Sequence, residues 1–142
     1  MTENNGTRLH AFGGDGTIVP EPLAIADELR SETASPVLAG GLVVGWDHGI
    51  HCLDPEAGLK EVWKTEEPAA GDHASLLATE ARVLAASQGG ELLLVDVTAR
   101  PPAMVSRLRV AEDGSGGYAH PAMDGHRLYL RDERSVRCLS LE

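Results

Sequence analysis

Aromatic side chains are scarce in this chain: two Trp, two Tyr and one Phe make up 4% of its 142 residues. A core must therefore be assembled mainly from Val, Leu, Ala and Ile. The overall hydrophobic share of 42% is enough for one packed domain and argues against wholesale disorder. Cations are also few, with 12 Lys and Arg against 22 Asp and Glu and a net charge of −10. That balance argues against a nucleic-acid partner, which needs a cationic footprint, and against an anionic membrane surface. No run approaches the roughly 18 apolar residues of a membrane span. The polar start, MTENNGTRLH, lacks the apolar stretch of a signal peptide. Only two cysteines occur, Cys52 and Cys138, neither in a CxxC pair nor beside a histidine at zinc-finger spacing, so no metal framework can be read. Each lies in an apolar strand candidate and is expected to be a small buried hydrophobe. The expectation is a soluble, reduced, cytoplasmic protein that neither binds nucleic acid nor inserts in a membrane. Location stays open if an export signal precedes Met1.

What is present is turn chemistry at short intervals. Residues Ser35 to Trp63 read SPVLAGGLVVGWDHGIHCLDPEAGLKEVW. An apolar run turns at Gly40-Gly41 into Leu42 to Trp46. Asp47-His48-Gly49 turns that run into Ile50 to Leu53, and the polar loop from Asp54 to Gly58 leads to Val62-Trp63. Four short strands follow from this punctuation.

The unit recurs. Asp54 and Asp96 close equivalent strands 42 residues apart, and Ser140 lies a further 44 on. Cys138 in RCLS matches Cys52 in HCLD, and Phe12 precedes its counterpart Leu53 by 41 residues. A four-stranded unit with a period of about 40 to 45 residues is the signature of a propeller blade. The fold expected is all-β: a partial β-propeller of about three four-stranded antiparallel blades. It divides into a half blade at 8–30, blades at 35–66 and 75–110, and a three-stranded blade at 119–142, with thirteen strands in all. Pro20 and Pro22 forbid a helix interior there. Leu23 to Arg30 suits either strand or helix, and the repeat favours strand.

Leu53-Asp54-Pro55-Glu56-Ala57-Gly58-Leu59-Lys60-Glu61-Val62-Trp63 resembles the blade signature of pyrroloquinoline-quinone-like (quinoprotein alcohol dehydrogenase-like) β-propellers. That signature has an Asp closing strand three, a Thr-Gly turn and a Trp in strand four. Ala57-Gly58 stands where Thr-Gly is usual, and one extra residue precedes Trp63. In the next unit Met104 or Val105 takes the Trp position, and Pro101-Pro102 distorts the turn. The resemblance spans most of residues 8–142 and implies the fold. It does not imply the quinone: the adjacent cysteines of some quinone pockets are absent from the sequence, and the blades are too few to enclose it. No cofactor is expected, and pyrroloquinoline quinone enters only through the resemblance.

Propellers close with at least four blades. The chain is therefore expected to be either the carboxy-terminal part of a larger propeller or a protomer of an assembled ring of about six blades. Open ends leave strand edges and apolar faces to be covered by a protein partner or by self-association. Ligands are expected on the face shared by the loops joining strands two and three and the loops joining successive blades. Those loops hold Asp47, His48, Gln88, Asp132, Glu133 and Arg134, and Thr33, Asp72, His73, Tyr118 and His120. Of these, Asp47, His48, Asp72, His73, Gln88, Tyr118, His120, Asp132 and Arg134 form the candidate ligand or partner face. No catalytic, cofactor-binding or metal-binding residue is identified, because no HxH, HExxH or GxSxG spacing occurs. His10 and His51 occupy equivalent positions and read as a structural slot. The arginines of the last third, Arg107 to Arg137, read as a solvated face. The functional expectation is a non-catalytic interaction scaffold; the alternative is a portion of a quinone- or metal-dependent propeller oxidoreductase.

Overall fold

The computed structural model describes residues 6–31, 34–67, 70–111, 117, 119–132 and 134–141. Glycine turns and alternating side chains produce thirteen short strands among them, all paired antiparallel. Strands β1 (Thr7–Leu9) and β2 (Ala24–Ala26) form a hairpin. A four-stranded sheet follows, with β3 (Val37–Ala39), β4 (Leu42–Trp46), β5 (Ile50–Asp54) and β6 (Lys60–Lys64) in sequence order. The next sheet orders β7 (Ala74–Ala78), β8 (Arg82–Ser87), β9 (Glu91–Asp96) and β10 (Ala103–Arg109) in the same way. The last has three strands: β11 (Ala122–Asp124), β12 (Arg127–Arg131) and β13 (Val136–Ser140). Successive meanders packed face to face are the partial β-propeller expected from the repeat.

The turns work as their residues dictate. Gly40 and Gly41 both have positive φ (58° and 77°), which lets β3 reverse into β4 in two residues. Asp54 ends β5, and its Oδ1 accepts the amides of Glu56 (2.9 Å) and Ala57 (3.2 Å). Asp96 does the same at the end of β9, accepting from Thr98 and Ala99. The shared aspartate is thus an Asx turn that stops the third strand and aims the fourth.

Two apolar layers hold the sheets together. Between the two four-stranded sheets, Val44, Trp46, Ile50 and Cys52 meet Ala74, Leu76, Val83, Ala85, Leu93 and Val95, all buried, with Trp63 packed at the margin. Between the hairpin and the first of these sheets lie Ala26, Leu29, Leu53 and Leu59. In β2 the alanines face this layer, while Leu23 and Ile25 point outward. The alternation therefore runs opposite to the size of the side chains, and leucines from outside β2 (Leu29, Leu53 and Leu59) fill the layer. Leu92 to Val95 is covered on both faces, as its unbroken apolar run requires.

Two expectations need correction. Cys138 is exposed, although Cys52 is buried. Its strand is the last of a three-stranded sheet, so neither a fourth strand nor a following sheet covers it among the described residues. The second concerns the position equivalent to Trp63. Trp63 pairs with Cys52, Glu61 pairs with Leu53, and Val62 is left over in a β-bulge that absorbs the extra residue. In β10 the bulge recurs: Met104 pairs with Val95, Ser106 with Leu94, and Val105 is left over. By register Ser106 therefore stands where Trp63 does, while Met104 packs against the core as Trp63 does.

Candidate functional site

The candidate face is built by tight turns at one end of the sheets. His48 sits between β4 and β5 with φ 52°, inside the turn closed by the Asp47 amide on the Gly49 carbonyl at 3.0 Å. Gly49 is required there, since an added Cβ would run into the Thr65 carbonyl. This turn carries the His48 ring toward the loop between β6 and β7. There His48 Nδ1 lies 3.1 Å from Asp72 Oδ1, and its Nε2 lies 3.8 Å from Asp47 Oδ1. Asp47 Oδ2 accepts the Arg30 amide at 3.0 Å, which ties the segment after β2 to the same turn.

Below this surface pair the loop is anchored. The Trp46 indole Nε1 donates to the Gly71 carbonyl at 3.2 Å, and the backbone N–H of Gln88 donates to the His73 carbonyl at 2.8 Å. His73 is buried, whereas His120 is exposed. Burial first, and then the charge of His120, push the His73 imidazole below its ordinary value. His73 before β7 and His120 before β11 are therefore electrostatic neighbours.

The structure thus gathers Asp47, His48, Asp72, His73 and Gln88, and sets His120 beside them. Asp132 is committed to its own turn, accepting the Arg134 amide (2.8 Å) and the Ser135 amide and hydroxyl (2.6 Å each), with Arg137 at 3.2 Å. Those bonds, with the Ser135 hydroxyl foremost, hold its carboxyl down to about 2. Arg134 is exposed, and among the described residues no hydrogen bond or ion pair joins it or Asp132 to the His48 cluster. Tyr118, Thr33 and Glu133 lie outside the described residues.

Chemically, the cluster is a solvent-facing imidazole–carboxylate pair, with side chains 66% and 80% exposed, mounted on buried anchors. Its hydrogen-bonding groups face solvent rather than an enclosed cavity. The two equivalent histidines serve structure. His10 Nδ1 lies 2.9 Å from the Val19 carbonyl, and His51 places Nδ1 2.7 Å from Glu61 Oε2 and Nε2 3.2 Å from the Asp47 carbonyl. Among the described residues no group of three or more His, Cys, Asp or Glu is placed to hold a metal ion, and no helix is long and apolar enough to cross a membrane.

Sequence reasoning missed the opposite end of the sheets. A groove of about 410 Å³ lies there, lined by Gly40, Gly41, Leu42, Asp54, Glu56 and Val62 on one side and Arg100, Pro101 and Pro102 on the other. The paired prolines were a signal: they stiffen a loop that faces a neighbouring sheet. A second and smaller cavity, about 40 Å³, lies between the last two sheets beside Glu91 and Arg137. Some arginines of the last third are paired as well as solvated: Arg109 holds Glu91 at 3.0 Å, and Arg107 pairs with Glu67.

No family model matches the chain, and no curated protein matches it significantly. Among solved structures, the crystal structure of BamB from Moraxella catarrhalis is similar, with a TM-score of 0.69 at 17% identity. The match covers 96% of this chain and 44% of that one, so the chain spans less than half the length of its structural neighbour. With four antiparallel sheets in series, this likeness establishes the fold as that of a partial β-propeller.

Proposed function

We propose that the chain is a non-catalytic interaction scaffold of the pyrroloquinoline-quinone-like propeller type. In this reading it is part of a larger propeller or a protomer of a ring, and it works by accepting a protein strand at its open edge. The observation that carries the reading is β13. Its one partner among the described strands is β12, whereas the equivalent strands β5 and β9 each have a fourth strand on their outer edge. An unpaired strand edge with Val136 and Cys138 exposed is a template for strand addition. At the other end of the stack, Phe12, Ile18, Leu23 and Ile25 are exposed on the hairpin, an apolar face suited to a neighbouring sheet. No cofactor is assigned in this reading, and the cytoplasm is its default location.

The test uses the chain's own fourth strand as probe. A peptide spanning 58–66, which contains β6, is titrated into the intact chain while alkylation of Cys138 is followed. Saturable protection of that thiol supports the edge as an acceptor; unchanged alkylation at millimolar peptide would overturn it. Light scattering separates the assembly alternatives, because a monodisperse monomer at high concentration removes the self-assembled ring. Adding pyrroloquinoline quinone with calcium tests the oxidoreductase alternative: an absorbance change together with a thermal shift would reverse the ranking.

A further inference from the structure

The groove at the end of the sheets away from His48 has the attributes of a second binding site. Its floor is the β3–β4 turn, pressed so closely onto the next sheet that a Cβ on Gly40 would lie 3.0 Å from Val97 Cγ2. One wall comes from the β5–β6 loop and the other from the β9–β10 loop, so two successive blades share the site. At about 410 Å³ the groove lies within the size range of small-ligand pockets and admits one or two residues of an extended peptide.

The two walls differ in charge and in how far that charge is already committed. Arg100 is turned back onto its own loop, with Nη1 donating to the carbonyls of Val97 (2.7 Å) and Ala99 (3.0 Å). Across the groove, Asp54 uses Oδ1 for the two amides of its turn. Among the described residues, its other oxygen and the exposed carboxylate of Glu56 have no hydrogen-bond or ion-pair partner. Leu42, Val62 and Pro101-Pro102 supply the apolar part of a lining that is otherwise polar. Val62 is the bulge residue of β6, left without a cross-strand partner and 40% exposed. The bulge is what presents it to the groove.

We infer that this groove binds an extended basic peptide segment, with a Lys or Arg side chain on the Asp54–Glu56 wall and a neighbouring apolar side chain on Val62 and the prolines. Charge complementarity selects the occupant, and the chain's net charge of −10 adds long-range attraction for a cationic partner. The apolar wall favours a peptide over a simple polyamine. The site does not depend on the open edge at β13, so either proposal can fail while the other stands.

The test is fluorescence anisotropy with the intact chain and a labelled peptide, Gly-Val-Lys-Leu-Arg-Gly, against its acidic counterpart Gly-Val-Glu-Leu-Glu-Gly. Saturable, salt-sensitive binding of the basic peptide alone is expected. Glu56→Lys should weaken it by about tenfold or more, and Val62→Ser by about threefold to tenfold. Glu66→Lys, an exposed charge change of the same size in the β6–β7 loop at the other end, should leave it nearly unchanged. Circular dichroism confirms that each variant is folded. Equal weakening by Glu56→Lys and Glu66→Lys would reduce the effect to net charge and overturn the site. So would equal binding of both peptides, no binding at millimolar concentration, or displacement by an equal concentration of spermidine.

Discussion

Sheet β3–β6 and sheet β11–β13 begin from nearly the same local instructions and end in opposite environments. In the first, Cys52 lies opposite Val44 on β4 and Trp63 on β6; in the second, Cys138 lies opposite Tyr129 on β12. The registers match residue for residue: Trp46 pairs with Ile50, and Arg131 pairs with Val136. Yet Trp46, Ile50 and Cys52 are fully buried, while Arg131, Val136 and Cys138 are exposed. The difference arises from what stands beside each sheet. A fourth strand and a following sheet cover the first, and the described residues supply neither for the last. In a serial stack, burial belongs to the neighbour as much as to the strand.

Thiol chemistry should separate the two sheets by the widest margin. Burial pushes the Cys52 thiol up to about 12, with the nearby Glu61 charge adding to it, and the side chain has no solvent access. At pH 8 that leaves about one part in ten thousand as thiolate. One thiol per folded chain, Cys138, should therefore react with a disulfide reagent, at least about a thousandfold faster than the other. The second should appear only on unfolding. Two thiols reacting together would mean that the first complete sheet is as open as the last.

Core truncation gives the next effect. Trp46→Ala removes a fully buried indole and its bond to Gly71, at an expected cost of about 3–5 kcal/mol in urea denaturation. Arg131→Ala, at the same register in the last sheet, should change stability by less than about 0.5 kcal/mol. Comparable losses would show that the last sheet is covered after all.

A glycine supplies a finer contrast. Gly45 and Leu130 share a register position, opposite His51 and Arg137 respectively. A Cβ on Gly45 would run into the Leu29 methyl groups, so Gly45→Ala should cost about 1–3 kcal/mol through overpacking. In the last sheet the equivalent space is filled by Leu130 itself, beside the small cavity. Gly125→Ala meets open space and should cost only about 1 kcal/mol, from its φ of +56°. Chemical denaturation of the two variants checks the order.

The smallest effect is the acid response of the turn after β12. The folded Asp132 carboxyl, held near 2, binds its proton less readily than the unfolded one. The contribution of the turn is therefore complete above about pH 4 and is lost as the pH falls toward 2. Urea midpoints measured from pH 6 to pH 2 should show that decline, and Asp132→Asn should flatten this part of it. Asp96, held lower still by Thr98 and Arg82, should retain its turn to more acid pH.

Strand positions, turn types and the aspartates that end third strands were legible in the sequence because each depends on a few adjacent residues. Gly40-Gly41, Asp47-His48-Gly49 and Asp54 to Gly58 turn the chain where they stand, whatever lies beside them. Part of the candidate face was legible for the same reason: placing His48 in a strand-two-to-three turn and Asp72 in an inter-blade loop put both at one end of the stack. The isolation of Asp132 was not legible, since the Ser135 hydroxyl that captures it could equally have faced solvent. Nor was the groove, whose two walls come from loops more than forty residues apart.

A series of small antiparallel sheets and their period is written into the amino-acid order, because hairpin reversal and alternation are local. Which faces are dry, which of two matched cysteines is buried, and where the charged groove lies follow from packing between distant segments. The bulges at Val62 and Val105 are likewise a matter of register between strands. Those properties come from contact between surfaces distant in the chain, and no pattern within one strand encodes the partner that covers it.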